Sequence, residues 1–236
     1  MYLIPFIKGP GACRNMSEKG TPLNLLILIM CFLAASCAGA GIYETSSGRG
    51  PLVVMISGKT GPALYGKFAR RLADAGYRVA LYDGNDFPLS EPQACRSMLR
   101  KIVTGQHSVG AGKAAVIGYS LGGAVALSCA ASEADLIAGV VAYYPATALM
   151  PDPSACVEAW KVPIVVLQGE EDRYFNCCRV EKIRALEEDA RQKGRAIELT
   201  VYPGAGHGFN LGPASDESLE RDSWQKTLEA LKKFSQ

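Results

Sequence analysis

The sequence predicts a single α/β domain, a mostly parallel sheet with helices on both faces. Three observations carry this. From residue 51 onward, short apolar runs alternate with longer runs of helical period, the pattern of strand–helix–strand units. Two of the short runs, Val53-Val54-Met55-Ile56 and Ile164-Val165-Val166-Leu167, are continuously apolar, as strands covered on both sides must be. The 236 residues, 48% apolar and 20% charged, are enough for one sizeable core and are unlike the composition of a disordered chain.

Taken in order, residues 1–37 stand apart as an export signal and residues 38–236 form the domain. The run Leu25 to Ala35 is 11 residues long, too short for a helix across a bilayer, which takes about 20. Arg14 and Lys19 precede it, and the small residues Ala34-Ala35-Ser36 follow it before Cys37, the layout of a cleaved leader; Met16 is an alternative start. Leu33-Ala34-Ala35-Ser36-Cys37 resembles a bacterial lipobox, which makes Cys37 a lipidation candidate and predicts membrane attachment through a lipidated N-terminus. Cleavage after Ala38-Gly39-Ala40 predicts a free secreted or periplasmic protein instead.

Strands are expected at Leu52 to Ile56, Arg78 to Tyr82, Ala114 to Ile117, Gly139 to Tyr143, Ile164 to Leu167 and Ile197 to Tyr202. Between them, Leu64 to Ala75 predicts a helix with Leu64, Phe68 and Leu72 on one stripe, stopped by Gly76. Cys178 to Lys193 repeats the design with Val180, Ile183 and Leu186 and stops at Gly194. A last helix from about Ser215 to Phe234 turns Leu219, Leu228, Leu231 and Phe234 inward.

Charge and cysteine content exclude whole classes of function. Outside the first 36 residues, basic and acidic side chains balance at 22 each, so there is no electrostatic footprint for a phosphate backbone and no nucleic-acid partner is expected. No Cys-x-x-Cys pair occurs and the chain has only two histidines, so no metal is expected. In an exported protein Cys156 is expected to pair with Cys177 or Cys178, while Cys129, within an apolar helix, is expected to be core.

The chemistry gathers around one turn. Gly118-Tyr119-Ser120-Leu121-Gly122-Gly123 lies between the strand run Ala114-Ala115-Val116-Ile117 and the helical run Ala124-Val125-Ala126-Leu127. Strand, G-x-S-x-G, helix is the layout of a nucleophile elbow, in which glycines let the chain turn sharply and hold the Ser120 hydroxyl above the sheet. A glycine turn with an idle serine is the alternative, and the flanking strand and helix weigh against it. A hydroxyl needs a base to become a nucleophile. His107 lies in a polar loop at the opposite end of the sheet; His207, in Tyr202-Pro203-Gly204-Ala205-Gly206-His207-Gly208-Phe209, leaves the last strand on the elbow's edge and is the expected base. Gln168-Gly169-Glu170-Glu171-Asp172 follows the fifth predicted strand at the same edge. The chain order serine, acid, histidine therefore selects Asp172, with Glu171 second, over a mere helix-capping role. The backbone N–H groups of Leu121 and Lys59 are the expected oxyanion donors. Gly58-Lys59-Thr60 is not a P-loop, because Val53 stands where that motif needs glycine.

These three segments, from Val116 to Gly123, Val166 to Asp172 and Val201 to Phe209, resemble the dienelactone hydrolase family of α/β-hydrolases, as does Arg71-Leu72-Ala73-Asp74-Ala75-Gly76-Tyr77. The likeness spans residues 51–236, and Gly206-His207-Gly208-Phe209 is its most discriminating part. Two positions depart from the family: Ser120 stands where its enzymes carry cysteine, and Ser57-Gly58-Lys59 where they carry a glutamate. The resemblance implies an α/β-hydrolase fold without a large lid, no cofactor, a small-molecule ester or lactone substrate, and cleavage through an acyl-enzyme on Ser120. Acyl transfer is the nearest variant. A non-catalytic exported binding protein on the same scaffold is the rival from another class.

Overall fold

The computed structural model describes residues 41–43, 50–106, 112–211 and 215–236. The expected leader, Cys37 and His107 lie outside the described residues. Among the described residues seven strands form one sheet: β1 (Gly41–Tyr43), β2 (Leu52–Ile56), β3 (Arg78–Tyr82), β4 (Ala114–Tyr119), β5 (Ile137–Tyr143), β6 (Ile164–Gly169) and β7 (Ile197–Tyr202), in the order β1-β3-β2-β4-β5-β6-β7. Every neighbouring pair is parallel except β1 with β3, so the expected parallel sheet carries one short antiparallel edge.

Parallel pairing brings the strands' carboxyl ends to one edge. Ile56 pairs with Gly118, Gly118 with Ala142, and Gly169 with Tyr202, so the loops that follow β2, β4, β5, β6 and β7 converge there. That edge is where α/β sheets bind their ligands.

Side-chain alternation divides the core in two. Val54, Ile56, Val116, Val140 and Val166 face one cluster, built with α2 (Pro92–Gln106), α3 (Leu121–Val125), α4 (Pro153–Ala159) and α5 (Val180–Gln192). Val53, Met55, Ile117, Val141 and Val165 face the other, under α1 (Gly66–Asp74) and α6 (Glu217–Phe234). The second layer is also tied by polar contacts. Tyr143 donates to the Ser223 carbonyl at 3.0 Å, and Arg71 reaches Glu220 at 2.5 Å while lying over the Trp224 ring.

Three expectations need correction. Leu64 is not on the inward stripe: Pro62–Tyr65 winds as a 3-10 turn before α1, and its tighter pitch leaves Leu64 54% exposed. The helix expected from Cys178 starts two residues later, at Val180. The disulfide expected at Cys156 is absent. Cys156 is free, Cys177 is bonded to Cys178, and Cys95 to Cys129. Cys129 is core as expected, but bonded, linking α2 to the π turn Ala126–Ala130 that continues α3. Inside that turn the Leu127 carbonyl accepts the Trp160 indole N–H at 2.8 Å.

Candidate active site

Ser120 sits at the turn from β4 into α3 with φ 53 and ψ −111, a conformation rare for a residue with a side chain. Excluded volume explains why the turn closes only on glycine. A Cβ on Gly118 would lie 2.1 Å from the Gly122 carbonyl oxygen, and one on Gly122 would lie 2.2 Å from the Ile56 carbonyl oxygen. The turn is pinned from both sides, since Ser120 N–H donates to the Tyr143 carbonyl at 3.0 Å and Ala146 N–H to the Ser120 carbonyl at 2.9 Å. Such over-determination is what holds a residue in strained backbone.

The loop after β7 brings His207 over this turn, with Nε2 3.0 Å from Ser120 Oγ. On its other side Nδ1 lies 2.7 Å from Asp172 Oδ2. A carboxylate only accepts, so Nδ1 carries the proton and Nε2 presents a lone pair to the serine hydroxyl. Asp172 is buried, and its second oxygen accepts the Tyr174 N–H at 3.1 Å. Glu171, the second choice from the sequence, is exposed, and its backbone N–H donates to the Ala205 carbonyl. The geometry therefore brings Ser120, His207 and Asp172 together and leaves Glu171 outside.

Of the two expected oxyanion donors, Leu121 follows Ser120 as the first residue of α3, and Lys59 belongs to the loop after β2. Gly58 N–H is spent on the Tyr65 hydroxyl at 3.0 Å, while the Lys59 carbonyl accepts from Asn85 Nδ2 at 3.0 Å. The N–H groups of Lys59 and Leu121 have no hydrogen-bond partner among the described residues, and Lys59 lines the cleft above Ser120. That cleft holds about 200 Å³ between Lys59, Leu64, Tyr65, Tyr144, Tyr174 and Leu211.

Three tyrosines of the cleft lie outside the sequence motifs, and Cys178, expected from the sequence only as a disulfide partner of Cys156 and a helix start, lies beside them. The Tyr174 ring lies flat on the His207 imidazole, centroids 4.4 Å apart and planes 4° from parallel, and Tyr144 meets it edge-on at 4.8 Å. Burial pushes the Tyr144 phenol well above its ordinary range, so it stays protonated and donates to Asn210 Oδ1. Tyr65 is raised by burial as well, and the Gly58 N–H offsets part of that. Cys178 Sγ lies with the Asp172 carboxylate and a His207 nitrogen in a group spanning no more than 4.8 Å. The one usable signal was the Tyr174-Phe175 pair, two large aromatics in a polar loop directly after Asp172.

The segment from Arg173 to Cys178 is held by unlike means. Phe175 and Asn176 take positive φ of 44 and 55 without being glycine, and Cys177 bonds to Cys178. The Cys177 carbonyl accepts from Ala148 N–H at 2.9 Å, and the Cys178 carbonyl from Gln168 Nε2 at 2.8 Å.

A family model for the dienelactone hydrolase family matches residues 39–235. This chain belongs to that family. It is 29% identical over 126 residues to an Escherichia coli (strain K12) protein named "Putative carboxymethylenebutenolidase"; the match covers 50% of this chain and 45% of that one. The chain thus spans a little under half the length of that curated relative. Among solved structures, an esterase of the planctomycete Thermogutta terrifontis with propionate bound superposes with a TM-score of 0.66 at 17% identity, over 82% of this chain and 88% of that one. Est1E from Butyrivibrio proteoclasticus gives 0.63 at 18%, over 84% and 94%. At such identities the likeness establishes the α/β-hydrolase-like fold of the family, in agreement with the fold expected from the sequence.

Proposed function

We propose that this chain is an exported serine esterase that cleaves a small ester or lactone. The observation that carries the reading is the hydrogen-bonded series from Ser120 through His207 to Asp172, opening on a cleft. In this mechanism Ser120 Oγ attacks the substrate carbonyl as its proton passes to His207 Nε2, and Asp172 stabilises the imidazolium that forms. The N–H groups of Leu121 and Lys59 receive the negative charge that develops on the carbonyl oxygen. His207 then protonates the departing alcohol oxygen, leaving the acyl group on Ser120. A water molecule, deprotonated by His207, attacks that ester, and collapse of the second tetrahedral intermediate frees the acid and restores Ser120. No step calls for a metal or cofactor.

Export is part of the proposal. It rests on the leader-like N-terminus, with anchoring through Cys37 as its lipidated form, and the two disulfides among the described residues support it, because such bonds persist in oxidising compartments.

A fluorophosphonate probe with p-nitrophenyl acetate as substrate tests the enzymatic reading. One probe per chain on Ser120 is expected. Ser120→Ala should lose both labelling and at least about 10⁴-fold of activity while keeping its thermal midpoint. A folded protein that neither labels nor hydrolyses any ester of a chain-length panel would favour the binding-protein rival.

A further inference from the structure

The group formed by Asp172, Cys178 and His207 is used only in part by the hydrolytic mechanism. Asp172 and Cys178 are fully or almost fully buried, and His207 is partly so. With Cys178 bonded to Cys177, its sulfur has no thiolate to offer a metal.

We propose that reduction of the Cys177–Cys178 bond creates a site for a thiophilic divalent cation, zinc above all, held by Cys178 Sγ, His207 Nδ1 and Asp172. In the reduction a dithiol passes its two hydrogens to the two cysteine sulfurs and closes into its own disulfide. Cys177 is the more exposed of the pair and the expected point of attack.

Donor chemistry and charge fit the cation. Thiolate, imidazole and carboxylate are the ligand types zinc takes, and one thiolate with one carboxylate neutralises a divalent charge, which an enclosed site requires. Tetrahedral zinc, with bonds of about 2.0–2.3 Å, holds its ligand atoms about 3.3–3.8 Å apart. The donor atoms of the three residues lie within 4.8 Å of one another, with Nδ1 and Asp172 Oδ2 2.7 Å apart, so the nitrogen and oxygen need to part by about half an ångström and the sulfur to approach by about one, and a sulfur freed from its bridge can turn about its own Cα–Cβ bond. Water completes the coordination. The Cys178 thiol proton is released to solvent on binding.

The consequence for turnover follows from the imidazole's two nitrogens and rests on the triad reading above. In the resting enzyme Nδ1–H faces Asp172 and the Nε2 lone pair faces Ser120. A cation on Nδ1 displaces that proton to Nε2. The nitrogen that must accept the serine proton is then already occupied, and Asp172 is drawn to the metal. Zinc should therefore inhibit the reduced protein and leave the oxidised one alone.

The test compares the oxidised full-length protein, the same protein reduced with a dithiol and freed of it by anaerobic gel filtration, and the variants Cys177→Ser and Cys178→Ser. One equivalent of Zn²⁺ is expected to lower p-nitrophenyl acetate hydrolysis about tenfold or more in the reduced protein, reversed by a chelator, and to leave the oxidised protein unchanged. Cys177→Ser, whose Cys178 thiol is always free and whose Cys95–Cys129 bond is intact, should be zinc-sensitive without reductant, and Cys178→Ser insensitive in either state. Co²⁺ read by its thiolate charge-transfer absorption reports the site independently of activity. The band is expected in Cys177→Ser, with or without Ser120→Ala, and not in Cys178→Ser. Absence of the band in Cys177→Ser, or equal zinc sensitivity of Cys178→Ser and the reduced wild type, overturns the proposal. A band in a protein that hydrolyses nothing would leave the site standing and bring down the triad reading instead.

Discussion

Two turns at the carboxyl edge of the sheet present neighbouring groups of the same site and are built by opposite means. The turn after β4 is buried, and excluded volume shapes it: Gly118 and Gly122 stand where backbone carbonyls leave no room for a Cβ. The segment after β6 is largely exposed, with Phe175 85% accessible, and side-chain contacts shape it: a ring stacked on His207, a carboxylate accepting a backbone N–H, and a bond between adjacent cysteines. A turn held by sterics cannot loosen without disturbing the sheet. A turn held by side chains can loosen alone, so the acid end of the site is where its chemistry can be altered at constant stability.

The sharpest test of that contrast lies on the exposed side. Asp172→Asn keeps the shape but offers His207 an amide in place of a charge, and should cost about 10³-fold or more in kcat/KM with an unchanged thermal midpoint. Glu171→Gln, one residue away, should change little. A larger loss for Glu171→Gln would reassign the acid. On the buried side, Gly118→Ala should act on stability, lowering it by about 3 kcal/mol or more in denaturant unfolding, because neither the added methyl nor the Gly122 carbonyl has anywhere to go. A fully stable variant would show that the turn is not sterically set. Tyr174→Ala should lower kcat about tenfold through loss of the ring beside the imidazolium, and Tyr174→Phe should restore most of it. If the phenylalanine variant is as slow as the alanine one, the hydroxyl and not the stacking matters.

The smallest effect belongs to the foot of the buried turn. Tyr143, whose carbonyl accepts the Ser120 N–H, has its phenol pushed up from 10.0 to about 12, chiefly by burial. A proton held more tightly in the folded than in the unfolded chain stabilises the fold in full below pH 10.0, and that contribution is lost as pH rises to about 12. Tyr143→Phe should flatten this part of the alkaline unfolding curve, and an identical curve would assign the loss to other groups.

The same contrast decides what the sequence made legible. Steric demands are written in residue type, so Gly118 to Gly123 could be read as a turn, and parallel strand order then placed Asp172 and His207 on its edge. Contacts between side chains distant in sequence leave no local trace. Nothing around Tyr144 predicts that it meets His207 edge-on, and the spacing of Cys95 and Cys129 does not reveal that α2 lies against the π turn. The sequence offers Cys177 and Cys178 equally as partners for Cys156, because adjacency in a sequence says little about which sulfurs meet. Leu64 differs from its expected place for a local reason: its spacing to Phe68 fits an α-helix, but Pro62 opens a 3-10 turn that rotates it outward toward the cleft.

The Cys95–Cys129 bond, with 34 residues of separation, makes a closed circuit of covalent bonds that includes β4 and Ser120. Closing a loop of that size removes about 4 kcal/mol of chain entropy from the unfolded state in the simplest polymer account. A second consequence is topological. A backbone cut anywhere inside the circuit leaves one molecule, because the path through the sulfurs still joins the halves. The strand that leads into Ser120 then remains at high effective concentration beside its neighbours, and re-docking is an intramolecular event whatever the dilution. A single nick in this stretch opens the circuit without separating the serine from the rest of its site.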